Sequence, residues 1–179
     1  MVAFSDVAAK GQMILDGDFM RLNTMATKEE KQFLYSLMAM GGSALTIADQ
    51  YDTIGDAVEI YQNREMIELN DLGFVGHPLS TDISNSDSST WYGMLPDGNY
   101  IVGFFNREET IVACSINLEK ELGIPSGCAK EVRDLWSHKN QGNAIQTISV
   151  TLKPHSCVIY RITPSESRIE RSGFGCTRR

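Results

Sequence analysis

Three carboxylates follow short apolar segments in the first third of the chain. Asp16 and Asp18 come directly after Gln12–Leu15. Asp49 follows a second such run, Ala44–Ala48. If the first run is a strand, alternate residues of its extension face the same side, so Asp16 and Asp18 could face one pocket. Carboxylates without a basic neighbour suit two tasks, which are accepting hydrogen bonds from sugar hydroxyls and serving as the acid and nucleophile of glycoside hydrolysis.

The same acidic stretch is also typical of a turn. In Asp16-Gly17-Asp18, the glycine would supply an unusual backbone angle and the aspartate side chains would cap neighbouring backbone groups. Asp52 is interpreted as a turn or cap residue. The residues by themselves leave both interpretations of the acidic stretch open.

The elements around these acids alternate between strand and helix. A capping box formed by Thr27 and Glu30 predicts the start of a helix, which ends at Gly41. Residues 54–69 predict a further helical region with a break near Asn63. Together with the two apolar runs, this order predicts parallel strands joined by crossover helices. Because two parallel strands do not form a stable sheet by themselves, residues 1–78 are predicted to be part of a larger α/β unit.

The pattern changes in the second half of the chain. Residues 79–90 are polar and serine-rich, which predicts a linker or loop. Residues 91–163 carry short strands with turn signals between them, which predicts an all-β antiparallel sandwich. The predicted strand segments are Trp91–Leu95, Tyr100–Phe105, Thr110–Ile116, Leu118–Leu122, Ala129–Trp136, Ala144–Leu152 and Cys157–Ile162. The arginine-rich residues 164–179 predict a disordered tail.

Composition excludes several classes of function. The chain has 179 residues and a net charge of −7, so a nucleic-acid surface is not expected. No apolar run reaches transmembrane length, so no membrane partner is expected. The N-terminal residues lack the pattern of a signal peptide, which predicts a cytoplasmic location. The four cysteines form no CxxC pair and the three histidines lie at no metal-ligand spacing from them, so reduced thiols and no metal are expected.

Aromatic residues offer a second kind of sugar site. Trp91, Tyr92 and Tyr100 could form a stacking strip on the sandwich, in which case the domain would be a non-catalytic carbohydrate-binding or scaffold module. Core packing and cross-strand pairing are the alternative for these three residues. Trp136 is predicted to be a core residue of the sandwich.

Several motifs in order resemble glycoside hydrolase family 27, the melibiases, which comprise α-galactosidases and α-N-acetylgalactosaminidases. Asp16–Met20 is similar to the Asp-Pro-Asp-Met-Leu motif at the end of the family's seventh barrel strand. Asn63–Gly73 resembles its Asn-Lys-Glu-Val-Ile stretch, and Val132–Lys139 matches its Val-Arg-Asp-Leu-Trp-x-His-Lys signature. Val102–Arg107 and Pro154–Arg161 resemble two strands of its sandwich. The likeness covers residues 10 to 163.

The resemblance implies a fold and a role for this chain. It implies an α/β fragment, the last two βα units of a TIM-type (β/α)8 barrel, followed by the antiparallel sandwich. The family's catalytic aspartates come from strands four and six, which precede the matching region, so no catalytic residue is expected in this chain. The implied parent is a retaining exo-α-glycosidase, most similar to an α-galactosidase, and the chain alone is expected to be inactive.

The resemblance also implies substrate-binding residues. Asp18 matches a residue that binds hydroxyls of the terminal sugar, and Phe19 stands at the position of its apolar neighbour. Asp16 would support them, and Asp49 would lie near the pocket. The implied partners are a small α-galactoside-like carbohydrate and the missing N-terminal barrel portion, with no cofactor.

Overall fold

The computed structural model describes residues 1–143 and 146–165. A 3-10 turn at Val2–Phe4 leads into helix α1, Ser5–Ala9. Strand β1, Phe19–Met20, pairs in parallel with strand β2, Thr46–Ile47. The parallel pairing that the sequence predicts is therefore present, but it involves only two residues of each strand.

The first predicted strand is wrong in position. Gln12–Leu15, all of them described residues, form no strand, and Ile14 is 82% exposed. The pairing with β2 is made instead by Phe19 and Met20, which follow the acids. Asp16 and Asp18 therefore lie before the strand and not after it. The reason is that strand β2, Thr46–Ile47, pairs with Phe19–Met20 and not with Gln12–Leu15.

The helices follow the predicted signals. Helix α2, Lys28–Met40, begins with the predicted capping box, in which Glu30 N donates to Thr27 Oγ1 at 3.1 Å and Thr27 N donates to Glu30 Oε2 at 2.9 Å. The second helical region divides into α3, Ala57–Tyr61, and α4, Arg64–Asp71. Asn63 caps α4 by accepting hydrogen bonds from two backbone amides, so the predicted break is confirmed.

Most of the predicted sandwich strands form two antiparallel sheets. One sheet has six strands in the order β3-β4-β5-β10-β7-β8, and the other pairs β6 with β9. The strands are β3 His77–Pro78, β4 Thr90–Met94, β5 Tyr100–Phe105, β6 Val112–Asn117, β7 Ala129–Asp134, β8 Lys139–Asn140, β9 Thr147–Leu152 and β10 Cys157–Pro164.

Three predicted segments need comment. Leu118–Leu122 is a short helix, α5, capped by Asn117, and not a strand. The serine-rich stretch joins β3 to β4 of the same sheet and contains a 3-10 turn at Ser86–Ser89. Residue 144, where one predicted strand begins, and residues 166–179 of the predicted tail lie outside the described residues.

The six-stranded sheet is covered on both faces. One face packs against the helices in a core cluster that includes Met20, Tyr35, Met66, Phe105 and Ile159. The opposite face packs against β6 and β9 in a second cluster, which includes Val102, Phe104, Ile116, Val132 and Ile162. Because adjacent residues of a strand point to opposite faces, Phe104 and Phe105 enter different cores. The helices and the β6–β9 pair thus pack on opposite faces of the six-stranded sheet.

Trp136 is partly buried and packs against the first of these cores, not between the two sheets. Its Nε1 donates to Ser36 Oγ of α2 at 2.9 Å, and its ring meets the Tyr35 ring edge-on at 5.9 Å. The prediction that Trp136 belongs to the sandwich core is therefore wrong, because the turn after β7 carries the indole towards α2.

Ion pairs join α4 to the sheet. Arg133 on β7 donates to both carboxylate oxygens of Glu65 at 2.7 Å, and His138 Nδ1 lies 2.6 Å from Glu65 Oε1. Arg161 on β10 donates to Glu68 at 2.7 Å. The hydrogen bonds from Arg133, followed by the contact with His138, hold the pKa of Glu65 below its ordinary value of 4.5, although partial burial opposes this.

We expect Glu65→Gln to lower the melting temperature at neutral pH by a few degrees. Because the folded-state pKa of Glu65 is lowered, its contribution to stability is complete above about pH 4.5 and is lost as the pH falls through the folded-state pKa. The melting temperatures of wild type and variant should therefore converge in acid. Glu68→Gln, in a more exposed pair, is the control with a smaller effect. A difference that stays constant down to about pH 3 would contradict the role of Glu65.

Candidate functional site

The acidic stretch forms a tight loop before β1. Asp16 Oδ1 accepts a hydrogen bond from Asp18 N at 2.8 Å, so Asp16 caps its own turn as one of the two sequence interpretations predicts. The left-handed backbone angle is at Asp18, with φ of 63°, and not at Gly17 as that interpretation supposes. Aspartate is among the few residues that adopt this conformation readily.

Gly17 has a different role from the predicted one. Its N–H donates to Ser43 Oγ at 2.9 Å, and Ser43 is fully buried. A Cβ added at Gly17 would meet the terminal methyl groups of Met1 at 2.9 Å and Met38 at 3.0 Å. The glycine therefore lets the loop lie close to α2, and Ser43 anchors it from the segment that leads into β2.

Asp18 and Phe19 present free groups to solvent. Both residues are exposed, and Phe19 retains 51% of its accessible surface. The Asp18 carboxylate accepts no hydrogen bond from the part of the chain that the structure describes. An exposed carboxylate can accept hydrogen bonds from hydroxyl groups, and an exposed aromatic ring at the next position can cover an apolar surface of a small ligand.

Asp49 holds two backbone segments together. Its Oδ2 accepts a hydrogen bond from the Tyr61 hydroxyl at 2.7 Å, and both oxygens lie 3.3 Å from the backbone nitrogen of Asn23. Burial, together with the hydrogen bond to Asp49, raises the pKa of Tyr61, which keeps the hydroxyl protonated. Asp49 thus links the chain after β2 to the chain after β1.

The three predicted site acids do not meet at one end of the parallel pair. Asp16 and Asp18 precede β1, whereas Asp49 follows β2. Strand β1 begins after Asp16 and Asp18, and strand β2 ends before Asp49, so the acids lie at opposite ends of the parallel pair. Sequence reasoning also missed Ser43 and Tyr61, since Tyr61 fits a helical apolar face and nothing local indicates a distant partner for its hydroxyl.

The predicted aromatic strip is not on the surface. Trp91 is 1% exposed and packs edge-on against Phe105 at 6.5 Å. Tyr92 is half-buried against the ring of His77 at 4.3 Å, and Tyr100 is half-buried against the second core. Of the two interpretations, core packing is therefore confirmed for Trp91, and the exposed stacking strip is wrong because adjacent strand residues Trp91 and Tyr92 face opposite sides of the sheet.

Other kinds of site receive no support from the described residues. Within residues 1–143 and 146–165, histidine, cysteine, aspartate and glutamate form no group of three or more that could hold a metal ion. The same part of the chain contains no helix that is both long and apolar enough to cross a membrane. Burial raises the pKa of the Cys157 thiol to about 12, so this cysteine is not poised for nucleophilic chemistry.

Comparison with known proteins gives a consistent set of relatives. Residues 85–162 match the family model described as the alpha galactosidase C-terminal beta sandwich domain. The chain is 43% identical over 163 residues to an isomalto-dextranase of Arthrobacter globiformis, covering 87% of this chain and 25% of the relative. It is 28% identical over 141 residues to an alpha-galactosidase of Cyamopsis tetragonoloba, covering 77% and 33%. The chain thus spans a quarter to a third of the length of these relatives.

Solved structures agree with the sequence matches. The isomalto-dextranase of Arthrobacter globiformis T6 complexed with panose has a TM-score of 0.80 to this structure at 41% identity, over 90% of this chain and 28% of the other. Alpha-galactosidase I from Mortierella vinacea has a TM-score of 0.69 at 21% identity, over 84% and 39%, which shows a shared fold alone.

Proposed function

We propose that this chain, which matches the C-terminal portion of glycoside hydrolase family 27-like enzymes, contributes one lip of a sugar pocket and an accessory sandwich to such an enzyme. The observation that carries the proposal is the exposed pair Asp18 and Phe19, held in place by the Ser43 anchor. Asp18 binds sugar hydroxyls, Phe19 contacts the apolar side of the sugar ring, and Asp16 fixes their loop.

The helical half supplies the last two βα units of a (β/α)8 barrel. Three features support this assignment: the parallel pair β1–β2, the crossover helix α2 between them, and helices α3 and α4 after β2. The exposed edges of a two-stranded parallel sheet require further strands for stability. The remaining strands belong to the N-terminal portion found in the longer relatives, and the sandwich packs its six-stranded sheet against the helices.

The more similar relative supports one substrate class over another. The 43% identity to an isomalto-dextranase favours a dextran-type substrate over an α-galactoside. The α-galactoside remains the second candidate, since several relatives at 26–28% identity are α-galactosidases. A non-catalytic sugar-binding sandwich loses its support with the burial of Trp91.

We expect the 179 residues alone to hydrolyse neither dextran nor a chromogenic α-galactoside, because the resemblance places the catalytic aspartates on barrel strands outside this region. Fusion of the chain to the N-terminal portion of the Arthrobacter globiformis isomalto-dextranase should restore release of sugar from dextran. In that fusion, Asp18→Ala should lower kcat/KM roughly 100-fold, the effect of losing charged hydrogen bonds.

Asp97→Asn, in an exposed turn of the sandwich, is the matched control and should leave kcat/KM unchanged. Asp18→Asn keeps the left-handed backbone and separates loss of charge from loss of loop geometry. Hydrolysis by the isolated chain that disappears on Asp18→Asn would overturn the proposal of an accessory role. A fusion whose activity is indifferent to Asp18 would overturn the assignment of the pocket lip.

A further inference from the structure

We infer that the sandwich positions the pocket lip through three rings in edge-to-face contact, those of Trp136, Tyr35 and Tyr61. The expected effect on sugar binding rests on the proposed function, whereas the contacts between the rings do not. It assigns Tyr61 and Trp136 as positioning residues, acting through β1 on the segment that carries Asp18 and Phe19.

The three rings form an unbroken path through the first core. The Trp136 and Tyr35 ring centroids are 5.9 Å apart with planes at 76°, and those of Tyr35 and Tyr61 are 6.3 Å apart at 62°. These are edge-to-face contacts, which fix the orientation of one ring relative to the next. Tyr35 and Tyr61 are buried, with 2% and 7% of their surface exposed. The hydrogen bond from Trp136 Nε1 to Ser36 fixes the outer end of the path.

The inner end of the path is a hydroxyl that joins both strand ends. Tyr61 Oη accepts a hydrogen bond from Leu22 N at 3.3 Å and donates to Asp49 Oδ2 at 2.7 Å, with Met20 O also within 3.3 Å. Met20 is the last residue of β1 and Asp49 follows β2. A single side chain thus determines where the two short strands end relative to each other.

A second contact joins the sandwich to the segment that follows Tyr61. Asn63, two residues after Tyr61, donates from Nδ2 to Leu135 O at 2.9 Å while its Oδ1 caps α4. Leu135 immediately precedes Trp136, and Asp134 accepts hydrogen bonds from the backbone amides of Trp136 and Ser137. The turn after β7 therefore holds Tyr61 from two sides, through the ring path and through Asn63.

A two-residue strand pair has little stability of its own, so its position depends on what packs behind it. Movement of Trp136 shifts Tyr35 and then Tyr61, and β1 moves with the Tyr61 hydroxyl. Contact between neighbours does not by itself demonstrate energetic coupling, so the test measures the coupling directly.

The first test is amide hydrogen exchange on the 179-residue chain. The reporters are the amides of Leu22, which donates to Tyr61, and Asn23, which faces Asp49. Tyr61→Phe removes only the hydroxyl and should speed Leu22 exchange about tenfold relative to the amide of Ile159 in β10. Trp136→Leu should speed the same amides, whereas Trp136→Phe keeps an aromatic edge against Tyr35 and should restore most of the protection.

Trp91→Phe is the matched control, since Trp91 is buried in the same cluster but is not in the ring path. It should leave Leu22 and Asn23 exchange unchanged relative to Ile159. Unchanged exchange in Tyr61→Phe and Trp136→Leu would overturn the inference. An equal rise in Trp91→Phe would also overturn it, because the effect would then be a general loosening of the core.

The second test separates positioning from mere stability in the fusion enzyme. Tyr61→Phe should raise KM for dextran about fivefold with kcat within twofold, as expected when a ground-state sugar contact is misplaced. Faster exchange with an unaltered KM would show that the ring path is structural only and would overturn the positioning role. If the fusion is inactive, the proposed function fails, while the exchange experiment still decides whether the ring path couples Trp136 to β1.

Discussion

Replacing Asn106 by alanine should lower the free energy of unfolding by about 3 kcal/mol, the sum expected when a buried amide loses hydrogen bonds to several carbonyls. Asn106 is 1% exposed and follows the last residue of β5. Its Nδ2 lies 2.7 Å from Thr110 O, 3.2 Å from Leu152 O and 2.8 Å from Lys153 O. Urea unfolding of the purified chain measures the loss.

The expected loss of stability is large because the Asn106 side chain makes hydrogen bonds at the junction of both sheets. Its Oδ1 also accepts the backbone amide of Glu108 at 2.9 Å, so all polar atoms of the side chain are in use. The acceptors belong to the turn after β5 and to the end of β9, which places Asn106 at the junction of the six-stranded and two-stranded sheets. Alanine takes the donor away from these carbonyls, and the contact with Leu152 O is fully buried.

Two further variants make the Asn106 experiment specific. Asn106→Asp retains the shape but sets a carboxylate against three carbonyl oxygens, so it should destabilise the chain more than alanine does. Asn140→Ala, on the exposed β7–β8 hairpin where the amide meets Glu131 and a backbone N–H, should cost less than about 1 kcal/mol. Equal losses for Asn106→Ala and Asn140→Ala would contradict the junction role.

Short sequence motifs correctly predict the elements whose structure depends on residues close together in the chain. The capping box at Thr27 and the break at Asn63 are correct because each depends on residues within one helical turn. Most sandwich strands are correct because turn residues separate them at short intervals. The family resemblance, based on motifs such as Val132–Lys139, is confirmed by the match over residues 85–162 and by the relatives.

Features that depend on distant residues are the ones that sequence reasoning misses. A two-residue strand such as β1 has no periodicity, so only its pairing with Thr46–Ile47 locates it. Leu118–Leu122 is too short to distinguish a helix from a strand by pattern alone. The hydroxyl of Tyr61 meets backbone groups 39 and 41 residues away in the β1 segment and the Asp49 carboxylate 12 residues away. The candidate site is therefore recognisable in the sequence as a motif, but the contacts that hold its loop are not.

Replacing Trp91 by alanine should lower the free energy of unfolding by about 3–5 kcal/mol, the range for truncating a buried large aromatic residue. Trp91 is 1% exposed, meets the Phe105 ring edge-on, and donates from Nε1 to Ser88 O at 3.2 Å. Its removal would leave a cavity between β4 and the helices in the core that the two halves share.

The Trp91 prediction also decides between two roles for the sandwich. An exposed sugar-stacking tryptophan could be removed with little loss of stability and a large loss of sugar binding, whereas a core tryptophan behaves in the opposite way. Trp91→Phe retains a ring against Phe105 and should recover much of the lost stability, since a smaller cavity remains. Urea midpoints of the three proteins measure the effect. An unchanged midpoint in Trp91→Ala would refute the core assignment and return the sandwich to the list of candidate carbohydrate-binding modules.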